Sequence, residues 1–146
     1  MGQVALFIAS FLAATVIPFS STPVLVALIL KGESPVLCTM VAGVGNTLGG
    51  MTCYGLGYWA KWDWIEKYAK IKKSQVIKTQ MHIEKWKSLI AMLTWLPLVG
   101  DPLAIGLGLF RVHWFSTMGF MMLGKTIRYG VVAYLIVQGN DFYRNL

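Results

Sequence analysis

The sequence predicts an all-α integral membrane protein made of two related halves, and three observations carry that expectation. The chain of 146 residues is 56% hydrophobic and 13% charged, with a mean hydropathy of +0.61, too apolar for an ordinary soluble domain. Its charge is segregated, with eight of the 13 basic residues in positions 61–87. Its prolines recur: Pro18 and Pro97, and Pro23 and Pro102, each stand 79 positions apart. A formal charge of +7 spread over a folded surface would suit nucleic acid. Clustered in one polar segment between apolar stretches, it instead follows the positive-inside rule and marks a cytoplasmic loop. The expected partners are therefore membrane lipids and not nucleic acid.

Four apolar stretches follow in order, at 4–30, 35–59, 89–110 and 112–137. The second and fourth are long enough to cross a hydrocarbon core, which takes about 20 helical residues. The first and third are interrupted, at residues 18–23 and 97–102, and leave arms too short to cross separately. Residues 1–17 lack the basic start and small-residue cleavage site of a removed signal peptide, so they are expected to stay in the membrane. Between the halves, residues 61–74 alternate Trp62, Ile65, Tyr68, Ala69 and Ile71 with lysines. That is the pattern of an amphipathic helix lying on the membrane surface. Trp59, Trp62, Trp64 and Trp86 would mark the cytoplasmic interface.

The 79-residue offset extends beyond the prolines. It also pairs Thr15 with Thr94, Gly45 with Gly124, Thr47 with Thr126, Leu28 with Leu107 and Leu30 with Leu109. The chain therefore reads as a single membrane domain over 1–146, with repeat one at 4–60, a basic linker at 61–87 and repeat two at 88–138. Each repeat is a broken hairpin followed by a spanning helix. If the broken segments are re-entrant, each copy crosses once and the second is inverted; if they span, the copies are parallel. The short arms favour the inverted form, a recurring transporter design with its binding site where the breaks meet.

Within each break an oxygen-bearing residue precedes proline, Thr22 before Pro23 and Asp101 before Pro102. This suggests an N-cap followed by proline at the first helical position. A cap does not need a charge, however, and a carboxylate inside the bilayer costs about 2.5 to 3.5 kcal/mol on insertion scales. Its expected partners are Lys125 and Arg128, three residues apart on one face of the fourth stretch. Two cations against one carboxylate leave a site biased toward an anion, above all a phosphate, with Asp101 also able to take up a proton. Structural pairing alone is the competing reading. In the first repeat Asn46 stands opposite Lys125, Gly49 opposite Arg128 and Thr22 opposite Asp101. Ser20, Ser21, Thr22 and Asn46 could bond substrate oxygens, or cap local backbone.

Ala42, Gly45, Gly49, Cys53 and Gly57 recur at helical spacing, a stripe for close packing or for a dimer face. Cys38 and Cys53 lie in apolar runs without metal-ligand spacing, so no metal or cofactor is expected. Nor does the sequence hold a carboxylate cluster or a Ser/His/Asp set, so an enzyme is not expected. Lys31, Glu33, Arg111 and His113 stand at ends of apolar stretches, as interface anchors do. The small size suits a homodimer.

The runs WLPLVGDPLAIGLGLFRVHW and GKTIRYGVVAYLIVQG, with GVGNTLGG earlier, resemble the YqaA branch of the DedA family, which shares the VTT or SNARE-associated domain. The W-x-P-x-x-G-D and G-K-x-x-R-Y elements carry the resemblance, which covers nearly the whole chain. It implies a bacterial inner-membrane protein with two facing re-entrant hairpins and a role in lipid handling, as a flippase or scramblase of anionic lipids with proton coupling. By motif, the acidic and arginine residues of such proteins fall on Asp101 and Arg128, with Lys125 beside them. The chain departs from the branch at Thr22, where related sequences often carry Glu, and so lacks one carboxylate of a two-carboxylate relay. Alternatively, such a protein acts as a membrane scaffold or assembly factor whose buried charges only hold helices together.

Overall fold

The computed structural model describes residues 1–15, 20–60, 73–94, 96 and 100–145, covering the backbone alone for 73–81 and Asp101. The described residues form six α-helices: α1 (Gly2–Ala13), α2 (Thr22–Leu30), α3 (Pro35–Trp59), α4 (Lys73–Leu93), α5 (Gly100–Leu109) and α6 (Trp114–Arg144). Only α3 and α6, of 25 and 31 residues, are long and apolar enough to cross a membrane. At 1.5 Å per residue they span about 37 and 46 Å, against a hydrocarbon core of about 30 Å. The bounds of α3 coincide with the apolar stretch at 35–59. Ser34 caps it, its Oγ accepting from the Leu37 N–H at 3.5 Å, with Pro35 at the first helical position, where no N–H is needed.

α3 is the central helix, packed against α1, α5 and α6. Its small residues make that packing close. A methyl group at Gly45 would lie 2.7 Å from the Phe7 carbonyl oxygen, and one at Gly49 would overlap that of Phe11. Toward the other end, Gly57 meets the Ile105 carbonyl, and Gly108 of α5 meets that of Tyr54. The stripe anticipated as a packing or dimer face is thus covered within the chain by α1 and α5. One buried core joins Leu6, Leu25, Ile29, Cys38, Ala42, Tyr129 and Ala133; a second joins Cys53, Tyr54, Ala91, Ala104, Leu107, Val112 and Met121. The first combines the start of α3 with the latter part of α6, and the second the end of α3 with the beginning of α6. The two long helices therefore run antiparallel. α1 and α2 fold back on each other, since a methyl group at Gly2 would meet Leu28 Cδ2 at 2.6 Å.

The turns that follow α2 and α5 are bonded alike. The Gly32 N–H donates to Ile29 O at 3.0 Å and the Glu33 N–H to Leu28 O at 3.1 Å; Arg111 N–H donates to Gly108 O at 2.9 Å and Val112 N–H to Leu107 O at 3.1 Å. This double bond is the Schellman ending, which needs a left-handed residue. Gly32 supplies it at φ +96° and Arg111 at φ +52°, where a side chain costs about 1 to 2 kcal/mol.

The broken ends are also satisfied locally, as an apolar surrounding demands. Past α1, Ala14 N–H donates to Phe11 O at 3.2 Å and Thr15 N–H to Leu12 O at 3.1 Å. The Thr15 hydroxyl adds a bond to Leu12 O at 2.7 Å, as the Thr94 hydroxyl does to Ala91 O at 2.6 Å. Cys53 Sγ donates to Ala14 O at 3.3 Å from α3.

Two sequence expectations need adjusting. Thr22 is the first residue of α2 and Ser21 occupies the cap position, without a side-chain cap bond. In the second break, α5 starts at Gly100, which puts Asp101 inside the first turn and not before it. Pro23 is thus the second residue of its helix and Pro102 the third, both accommodated because the first four N–H groups of any helix lack intrahelical acceptors. α4 is continuous from Lys73 through Leu93. The surface helix expected at 61–74 falls almost wholly outside the described residues.

Candidate functional site

Two of the expected site residues, Asn46 and Lys125, meet where α3 and α6 cross. Lys125 is 3% exposed, and its Nζ donates to the backbone oxygen of Asn46 at 2.8 Å. The ammonium lies over Gly50, where a methyl group would stand 2.8 Å from Nζ, so the absent side chain opens its place on α3. Asn46, 7% exposed, turns its own side chain the other way, its Nδ2 donating to Ser10 O at 3.0 Å. That carbonyl belongs to the last turn of α1 and would otherwise lack a helical donor. Asn46 thus holds α1 with its side chain and Lys125 with its backbone.

One turn along α6, Arg128 is half-buried with its guanidinium carbon 5.7 Å from the centre of the Tyr129 ring, within cation–π range. Tyr129 is 1% exposed, and its hydroxyl is 2.6 Å from Ser21 Oγ, where either group can donate. This bond ties the start of α2 to α6 beside the arginine. Ser20 is exposed and Thr22 half-buried. Pro23 and Pro102 lie exposed in the first turns of α2 and α5. Pro18, Pro97 and the Asp101 side chain lie outside the described residues. The structure therefore brings together Asn46 with Lys125, and Ser21 with Tyr129, the neighbour of Arg128, and leaves Ser20 at the surface.

Sequence reasoning passed over two residues. Tyr129 was visible only as the neighbour of Arg128, and nothing in its spacing announces a bond across 108 positions. Ser10 is fully buried, and its hydroxyl has no partner among the described residues. The signal for it was the line Leu6, Ser10, Ala14, one polar residue on the buried i, i+4 edge of an apolar helix. Chemically, the crossing offers a buried ammonium and a nearby guanidinium within one turn of an apolar helix. Such charges suit an anion or a carboxylate.

The chain is 36% identical over 135 residues to "Inner membrane protein YqaA" of Escherichia coli, covering 92% of this chain and 90% of that protein. The same figures hold for the protein of that name in Shigella flexneri. An uncharacterised protein of Haemophilus influenzae is 30% identical over 138 residues, covering 89% of this chain and 84% of that one. No family model matches the chain, and no solved structure matches it.

Proposed function

This chain belongs to the YqaA branch of the DedA family of inner-membrane proteins, and we propose that it is a carrier moving an anionic lipid or a similar phosphate-bearing solute across that membrane. The observation that carries the reading is Lys125, buried to 3% exposure in the middle of a membrane-spanning helix, with Arg128 one turn on. A charge so placed is costly unless it is paired or used. In the proposed cycle Arg128 and Lys125 hold the anion, exposed alternately to the two sides. Asp101 takes the anion's place on them when it leaves, and carries a proton while the anion is bound. No chemical step on the substrate is proposed, and two copies of the chain are proposed to enclose the pathway.

We further propose that the two halves are inverted repeats with re-entrant first arms. The reading is supported by correspondences at the 79-residue offset: the ends of α2 and α5 at Leu30 and Leu109, and the starts of α3 and α6 at Pro35 and Trp114. It is supported too by the like turns at Gly32 and Arg111, by the threonine bonds at Thr15 and Thr94, and by the antiparallel run of α3 and α6. Under this reading Asn46 and Lys125, 79 positions apart, meet on the internal two-fold axis.

The test is translocation of anionic lipid in proteoliposomes by wild type, Asp101→Asn and Arg128→Gln, with folding of all three checked in detergent. Loss of translocation by both variants with folding intact supports the carrier. Full activity in both refutes the assigned charges. A wild type that moves no lipid, and variants that mainly lose stability, point to the scaffold reading, which the bond from Lys125 to a backbone carbonyl favours.

A further inference from the structure

The end of the molecule where α3 stops and α6 begins carries a second cationic feature, separate from the crossing. Arg111 is the one non-glycine residue with positive φ among the described residues. It occupies the position filled by Gly32 in the like-bonded turn after α2. A turn of this kind is best served by glycine, so the side chain is present at a cost to the fold. Its guanidinium carbon stands 5.2 Å from the centre of the Tyr58 ring. Tyr58 in turn stacks on Tyr54 at 6.1 Å, and the Tyr54 hydroxyl donates to the carbonyl of Val112, next to Arg111. Arg111 is exposed, and no carboxylate among the described residues pairs with it. His113, two positions on, is exposed as well and makes no side-chain cap bond at the start of α6. Around them Trp59, Trp114 and Phe115 are 80%, 55% and 63% exposed, as aromatic residues at headgroup level are. Trp59 leads directly into the basic segment at 61–87, so this end faces the anionic cytoplasmic leaflet.

We propose that Arg111, held outward on the Tyr58 ring with His113 beside it, is a docking point for the phosphate of an anionic phospholipid headgroup. An ordinary interfacial anchor could stand anywhere on this turn. Here the arginine stands where its backbone is strained, and a stacked tyrosine pair fixes its direction. The planar fork of the guanidinium suits two phosphate oxygens at once. The site is distinct from the crossing, because Lys125 lies eleven residues, or about 16 Å, beyond Trp114 along α6. Binding at Arg111 therefore does not require the carrier reading to hold.

The experiment uses the full chain in nanodiscs of phosphatidylcholine alone and with added phosphatidylglycerol. It reads the thermal midpoint and, by native mass spectrometry, the lipid retained. Wild type should gain stability with phosphatidylglycerol, and inorganic phosphate at matched concentration should leave the midpoint unchanged. Arg111→Gly should melt at or above wild type in phosphatidylcholine, since the strain is gone, yet lose the phosphatidylglycerol shift and bind that lipid about tenfold more weakly. Arg111→Lys should keep part of the shift, having the charge without the fork. Tyr58→Leu, which leaves the turn intact, should also weaken it. A full phosphatidylglycerol shift in Arg111→Gly or in Tyr58→Leu, or none in wild type, overturns the proposal. A shift produced equally by inorganic phosphate overturns the assignment to lipid.

Discussion

At the scale of single residues, several buried polar groups are bonded across helices: Asn46 to the Ser10 carbonyl, Lys125 to that of Asn46, and Ser21 to Tyr129. The bond between Ser21 and Tyr129 is the clearest case, because both side chains are buried and each is the other's hydroxyl partner at 2.6 Å. Tyr129→Phe keeps the ring beneath Arg128 and strands the serine hydroxyl, and should lower stability by about 1 kcal/mol. Ser21→Ala should cost a similar amount, and the double variant should cost little more than either single one. Equilibrium unfolding in mixed micelles would check this, and full additivity of the two losses would show that the bond is not shared. Asn46→Leu should also destabilise the fold, by about 1 to 3 kcal/mol, because it leaves the Ser10 carbonyl without its donor. That outcome would assign Asn46 to holding α1 and not to binding a substrate oxygen.

At the scale of elements, glycines on one helix differ in what surrounds them. A methyl group at Gly108 would run into the Tyr54 backbone, whereas at Gly106 it would meet nothing within 4 Å. Gly108→Ala should therefore push α5 off α3 and cost several kcal/mol. Gly106→Ala on the same helix should be neutral or stabilising by about 0.5 to 1 kcal/mol. Thermal midpoints of the pair would decide, and equal effects would contradict the observed packing. The sequence allowed much of this level to be read: the apolar run from Pro35 to Trp59 is the helix itself, and Pro23 and Pro102 stand in the first turns of α2 and α5. The fourth helix begins well before the apolar stretch at 89, because the sequence from Lys73 to Lys87 is largely polar and hydropathy marks no span there. In the sequence the last apolar run stops at Val137, whereas the helix continues through Gln138, Asn140 and Asp141 to Arg144; backbone hydrogen bonding carries a helix past the point where hydropathy ends.

For the whole molecule, two residues that the sequence singled out meet at the crossing of α3 and α6, while the way each is used there was not legible. The offset paired Asn46 with Lys125, and these two residues touch. What single-sequence reading could not supply was direction: that the asparagine amide faces α1, that the lysine lies over Gly50, and that Tyr129 reaches the start of α2. Such contacts depend on how helices rotate about their axes, and hydropathy alone constrains that weakly when lipid and neighbouring helices are equally apolar. The close backbone approach of α3 and α5 has a mechanical consequence. Where Gly57 rests on the carbonyl of Ile105 and Gly108 on that of Tyr54, no side chains lie between the helices to repack, so the pair is stiff against sliding. It should move as one body, with its amides the slowest to exchange with deuterium. The compliant seam is then where α2 meets α6, through side chains that include the Ser21 and Tyr129 hydroxyls.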